Sequence, residues 1–173
     1  MRDAILDAAE IRARAGGYHG FSFREIAADV GIKSASVHYH FPTKADLAHA
    51  MVERYRLRAI AMLGMPDDAV TALTRLVELF RKAAVSNEMC LCGAIGASSG
   101  TLPPEVQASA AQFTVALAEW LRQAPDWSER LPMAPETILA LLEGALLVSV
   151  TAGGPRFFEQ AIAPLAEFCS EAV

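Results

Sequence analysis

Phe21-Ser22-Phe23-Arg24-Glu25-Ile26-Ala27-Ala28-Asp29-Val30-Gly31-Ile32-Lys33-Ser34-Ala35-Ser36-Val37-His38-Tyr39-His40-Phe41-Pro42-Thr43-Lys44 reads as two short helices parted at one glycine. Ser22 followed three residues later by Glu25 is a capping box, in which the serine oxygen accepts from the Glu25 backbone and the carboxylate reaches back. That helix ends at Gly31, about two turns on. The second runs from Ser34 to His40 and is closed by Pro42, which disfavours helical geometry at Phe41. Upstream, the Ala- and Leu-rich segment Asp3 to Ala15 stops at Gly16-Gly17. A longer helix followed by two short ones around a tight turn is the layout of a helix-turn-helix.

The second short helix has the chemistry for a major groove about 12 Å wide. Lys33, Ser34, Ser36, His38 and Tyr39 offer small hydroxyls, ring donors and one cation. Ala35 and Val37 are small enough to approach a thymine methyl or to pack inward. Lys44 begins the next helix, where a cation beside free N–H groups suits a phosphate. Phosphate positioning and base reading are thus both provided for.

Beyond this stretch the pattern stays helical. Thr43 and Asp46 open a helix that runs to about Leu63. Asp67 is expected to cap a helix to about Ser86, and a looser stretch, 87–101, follows. Pro103-Pro104 starts a helix to about Gln123, a Pro-rich connector spans 125–135, and two helices close the chain, Glu136 to Ala152 and Arg156 to about Ser170. The expectation is an all-α fold of about nine helices. A three-helix helix-turn-helix domain, 1–46, would precede a larger helical domain, 47–173.

In Ile138 to Val148 apolar residues cover nearly the whole circumference, so this helix must be buried all round. Two readings stand. One is a single-chain core. In the other, Leu139, Leu142 and Leu146, with Phe157, Ile162 and Leu165 of the last helix, meet a second copy across a two-fold axis. Phe168 and Cys169 are expected to pack in the last helix. Glu143 interrupts the apolar run and would cap polar groups in the core, face solvent at a gap in a dimer, or contact a ligand.

Composition narrows the class. The chain has 173 residues, is 53% hydrophobic and carries a net charge of −5. Residues 1–60 hold nine Lys/Arg against seven Asp/Glu and all four histidines, leaving a net −7 on the remainder. An acidic body with a mildly basic head suits contact with polyanion at one end. The longest apolar stretch, Gly144 to Gly154, is far short of the roughly 20 residues needed to span a bilayer. The N-terminus reads as helix rather than secretory signal. Three cysteines do not make a disulfide framework, which points to a reducing cytoplasm.

Gly17-Tyr18, Phe21 to Ala27, Gly31-Ile32, Tyr39 to Lys44 and Leu47, in this order and spacing, resemble the signature of the TetR/AcrR family of transcriptional regulators. The resemblance implies an all-α homodimer, usually a repressor, whose C-terminal helices enclose an effector pocket and supply a two-helix dimer face. It implies a double-stranded DNA operator and a small-molecule effector as partners, with no cofactor. Ser36 and Tyr39 would lie on the recognition helix, and Tyr39, His40 and Lys44 become candidates for phosphate contact. Ile26, Ala27, Val30, Ile32, Val37, Phe41 and Leu47 would be the small core. Two departures matter: Ala13 stands where members often carry an aromatic, and His38 where many have tyrosine. His38 either donates a neutral hydrogen bond or makes one contact pH-dependent.

Met89-Cys90-Leu91-Cys92-Gly93 resembles a branch of the same family with a Cys-Leu-x-Gly motif, which includes regulators responding to electrophiles or unsaturated acids. The resemblance makes Cys90 the candidate sensor, with Cys92 second; the acidic residues that often follow are replaced by Ala97-Ser98-Ser99. A buried structural cysteine is the competing reading. Met62, Leu76, Phe80, Met89, Phe113, Leu117 and Trp120 are the apolar side chains expected near a pocket. A Cys-x-Cys pair with every histidine at the other end of the chain is a poor metal site. A thiol-dependent enzyme using Cys90 or Cys92 and a helical partner-binding module are the alternative functions.

Overall fold

The computed structural model describes residues 1–130 and 133–171, with the side chains of these except 166 and 168–171. The expected packing of Phe168 and Cys169 therefore lies outside the described residues. In chain order the α-helices are α1 (Arg2–Gly16), α2 (Phe23–Val30), α3 (Ser34–His40), α4 (Lys44–Leu63), α5 (Ala69–Val85), α6 (Leu91–Gly96), α7 (Pro104–Arg122), α8 (Trp127–Arg130), α9 (Pro135–Thr151) and α10 (Arg156–Glu171). Gly17–Gly20 and Ser99–Thr101 form 3-10 turns. The fold is all-α, with ten α-helices and no strand among the described residues.

The extra elements are short. α6 and a 3-10 turn occupy the stretch expected to be loose, and α8 sits in the Pro-rich connector. One cap also moves. Asp68, rather than Asp67, caps α5 by accepting from the Thr71 N–H at 2.9 Å, and Asp67 binds Arg75 instead.

Two compact units emerge. The first comprises 1–57 with 91–113, the second 58–90 with 114–173. Compactness thus divides the chain elsewhere than at residue 46, because α6 and the first half of α7 join the N-terminal helices.

In the first unit Ile5, Leu6, Ala9, Ala13, Phe21, Ile26, Val37, Phe41, Leu47 and Met51 are buried. Val30 and Ile32, expected in this core, are half-exposed at its edge. Helix α1 packs on α2 and α6. Gly17, at φ 63°, lies so close to the chain at α6 that a Cβ would stand 2.8 Å from the Ala94 carbonyl oxygen. His19 meets Thr101 at 2.9 Å and His49 meets Ser109 at 2.6 Å, further tying the N-terminal helices to this second segment.

In the second unit α5, α9 and α10 pack against one another. Leu73, Leu76, Phe80, Leu117, Leu121, Ile138 and Phe158 are buried. The Trp120 indole N–H donates to the Gly64 carbonyl at 2.6 Å, and Asp126 accepts from the Ala69 N–H at 2.7 Å. Here the expected dimer face needs correction. Leu139, Leu142, Leu146, Ile162 and Leu165 are buried inside the chain, and of the six residues named Phe157 is the exposed one. Among the described residues, the large apolar side chains these two helices leave open are Leu147, Val148 and Phe157.

Candidate nucleic-acid interface

The turn between α2 and α3 is built from both sides. Ser22 caps α2 by accepting from the Glu25 N–H at 3.3 Å. The Glu25 carboxylate takes the Ser22 hydroxyl at 2.6 Å rather than the backbone that a full capping box would offer it. That hydroxyl is the largest cause holding the Glu25 carboxyl below its ordinary range; burial opposes it and Arg12 adds to it. Gly31 ends α2 in the left-handed conformation, φ 73° and ψ 34°, which costs glycine little. The Ile32 N–H then returns to the Ala27 carbonyl at 2.9 Å. Arg12 of α1 bonds both Asp29 and Glu25, fixing α2 to the first helix.

Helix α3 turns Val37 into the core and presents the rest of its surface. Lys33, Ala35, His38 and Tyr39 are exposed, while Ser34, Ser36 and His40 are half-exposed. Tyr39 is 85% exposed, so its ring and hydroxyl stand free of the core. The two small residues therefore part company: Val37 packs inward and Ala35 faces out. His38 meets the Phe23 ring edge-on at 4.5 Å between centroids, and Tyr39 meets His40 similarly at 5.3 Å. The imidazole of His38 is thus steadied by an aromatic edge while remaining accessible.

Lys44 follows one short connection later. Its ammonium lies 4.7 Å from the Tyr18 ring centroid and 4.5 Å from that of Phe21. Such stacking over ring faces holds a flexible side chain in place. Burial lowers the Lys44 pKa, with Glu25 acting in the opposite sense. Thr43 and Asp46 form a reciprocal box at the start of α4, Asp46 accepting from the Thr43 N–H at 2.9 Å and donating its own N–H to the Thr43 hydroxyl at 3.0 Å. The roles of Tyr18 as a platform for Lys44 and of Arg12 as a tether were not visible in the sequence. The Gly17-Tyr18 pair was a signal for the first.

The expected ligand residues scatter more. Cys90 is 2% exposed and directly precedes α6, and Cys92 is buried within it. Phe80 and Trp120 are buried in the second unit. Phe113 is buried in the first, its ring tilted 5.1 Å from that of Tyr55. Met62 is 66% exposed, so it is not part of an enclosed wall within the chain. α4 turns its Ala59 and Leu63 inward instead.

Residues 5–51 match the family model described as bacterial regulatory proteins, tetR family. No curated protein matches the chain. Solved structures do. A TetR transcriptional regulator from Legionella pneumophila is 27% identical, covers 96% of both chains and superposes with a TM-score of 0.82. A TetR-family regulator from Agrobacterium tumefaciens is 26% identical, covering 96% of this chain and 95% of its own, with a TM-score of 0.83. The reduced form of NemR from E. coli, 17% identical over 95% and 94% of the two chains, shares the fold at a TM-score of 0.71. The matched family and these neighbours are transcriptional regulators, not enzymes. Residues 5–51 are thus similar to the N-terminal domain of tetR-family regulators, and the chain takes the all-helical fold of solved TetR regulators.

Proposed function

We propose that this protein is a ligand-responsive transcriptional repressor that binds a palindromic operator as a homodimer and leaves it when a small molecule or electrophile is bound. The observation that carries the reading is α3: a short helix anchored to the core by Val37, whose polar residues Lys33, Ser34, Ser36, His38 and Tyr39 all reach its surface. A dimer would set two such helices about one turn of DNA apart. Leu147, Val148 and Phe157 support the dimer, being exposed apolar side chains on two helices that already pack together. Effector binding would favour a dimer with the wrong helix separation. On the effector side, Cys90 with Phe80 and Trp120 of the same unit is the reading we favour.

The test begins with selection of a binding site from random duplexes, followed by titration at several salt concentrations. A two-fold symmetric site and affinity falling steeply with salt are expected. Lys44→Ala should weaken binding to all sequences and flatten the salt slope by about one unit, whereas Ser36→Ala or His38→Ala should change sequence preference. Binding that selects no site and ignores salt would overturn the reading. A selected site with no symmetry would overturn the dimer.

A further inference from the structure

The basic side chains of the first unit divide by partner. On α1 and α4, Arg12 is held by Asp29 and Glu25, Arg14 by Glu10, Arg54 by Asp7 and Glu10, and Arg56 by Glu53. These charges are neutralised within the protein. Arg2, at the start of α1, differs. It is exposed, and no carboxylate pairs with it among the described residues. Its guanidinium lies instead over the Phe41 ring, 5.0 Å from the centroid.

Phe41 sets the position of that cation. It caps the C-terminal end of α3, is buried, follows Tyr39 and His40 directly, and leads through Pro42-Thr43 into Lys44. Lys44 is arranged in the same way, over the faces of the buried Tyr18 and Phe21. Two cations thus rest on aromatic rings at the place where the chain leaves α3 and enters α4. A ring face attracts a cation but cancels none of its charge. A guanidinium over a ring stays charged and keeps the N–H donors of its own plane for an outside acceptor. What this arrangement lacks is an anion.

We propose that Arg2 is a further DNA-binding residue, its guanidinium taking one phosphate of the operator backbone beside the phosphate bound by Lys44. This rests on the reading of α3 as the recognition helix and extends the backbone contact to the start of α1. The fork of N–H groups matches two phosphate oxygens. The ring beneath restricts the side chain before DNA arrives, so less entropy is lost on contact. Arg24 and Lys33 are exposed as well, but no ring holds either among the described residues. A phosphate contact carries no sequence information, so Arg2 raises affinity for every duplex alike and fixes how the head seats on it.

The experiment titrates the whole protein into the selected operator and into an unrelated duplex at several salt concentrations. Arg2→Met keeps a stem over Phe41 and drops the charge. Its affinity should fall about three- to tenfold for both duplexes, and the slope of log affinity against log salt should flatten by about one unit. Its thermal midpoint should match the wild type, and Arg2→Lys should keep the slope. Operators carrying one neutral methylphosphonate at a time then locate the contact. The position that weakens the wild type and leaves Arg2→Met indifferent should adjoin the one found in the same way with Lys44→Ala. If Arg2→Met melts early, Arg2→Gln replaces it in both measurements. An unchanged slope in the folded variant would overturn the proposal and leave Arg2 as a cover for Phe41, with DNA binding intact. A wild type with no salt-sensitive affinity for either duplex would overturn the reading of the head, and this proposal with it.

Discussion

At Glu143 the folded chain keeps a proton that the unfolded chain gives up. Between the ordinary value of 4.5 and about 9, unfolding releases that proton, so its contribution to stability falls as pH rises through this window. Glu143→Gln removes the dependence. We expect the variant to gain on the wild type as pH rises from 5 to 8, by about 1–3 kcal/mol. Urea melts at several pH values check this, and parallel curves for the two proteins would show that the carboxyl is not held neutral. The sequence marked Glu143 as out of place but could not say how far burial reaches its carboxyl, the first cause that holds the proton, because the tertiary fold decides that. Tyr39 and Val37 were easier. Both lie within one short helix whose ends the sequence marks; the family resemblance pointed to their places, and the structure turns Val37 inward and Ala35 outward.

Helices α2 and α3 were legible because their boundaries are written locally. Ser22, Gly31 and Pro42 each act on backbone within a few residues, whatever the rest of the chain does. Ser22→Ala should lower stability by about 1 kcal/mol. Gly31→Ala, forced into a left-handed conformation, should lower it by about 1–2 kcal/mol. Thermal melts check both, and a neutral Gly31→Ala would mean that the turn relaxes. Helix α6 escaped notice for the opposite reason. It is six residues long, rich in glycine and alanine, and held by packing of Leu91, Cys92 and Ile95 rather than by propensity. Its fit depends on Gly17. Gly17→Val places a side chain against the Ala94 carbonyl oxygen and should destabilise the first unit by 2 kcal/mol or more, on the order of an overpacked core. Faster hydrogen exchange in α1 and α6 would report the loss. Helix α9 was legible as buried but not in phase, since a helix apolar on every side does not say which side faces a partner.

For the molecule as a whole, the exposed Leu147, Val148 and Phe157 carry the expectation of a dimer. Leu147→Asp with Phe157→Asp should yield a folded monomer by light scattering and weaken operator binding at least about a hundredfold, since each half-site must then be bound alone. A double variant that remains dimeric would place the interface elsewhere. All-α character and the helix-turn-helix were readable from the sequence, but the division into compact units was not. The chain passes between the units at 57/58, 90/91 and 113/114, and two of those passages fall inside the continuous helices α4 and α7. This bears on inheritance. A crossover at a single point near residue 46 would bring in a foreign reading head while leaving behind the segment 91–113 on which that head packs. Exchange of DNA specificity between related genes should therefore go by point substitution on α3 more readily than by swapping heads, and an engineered chimera should transplant both stretches together.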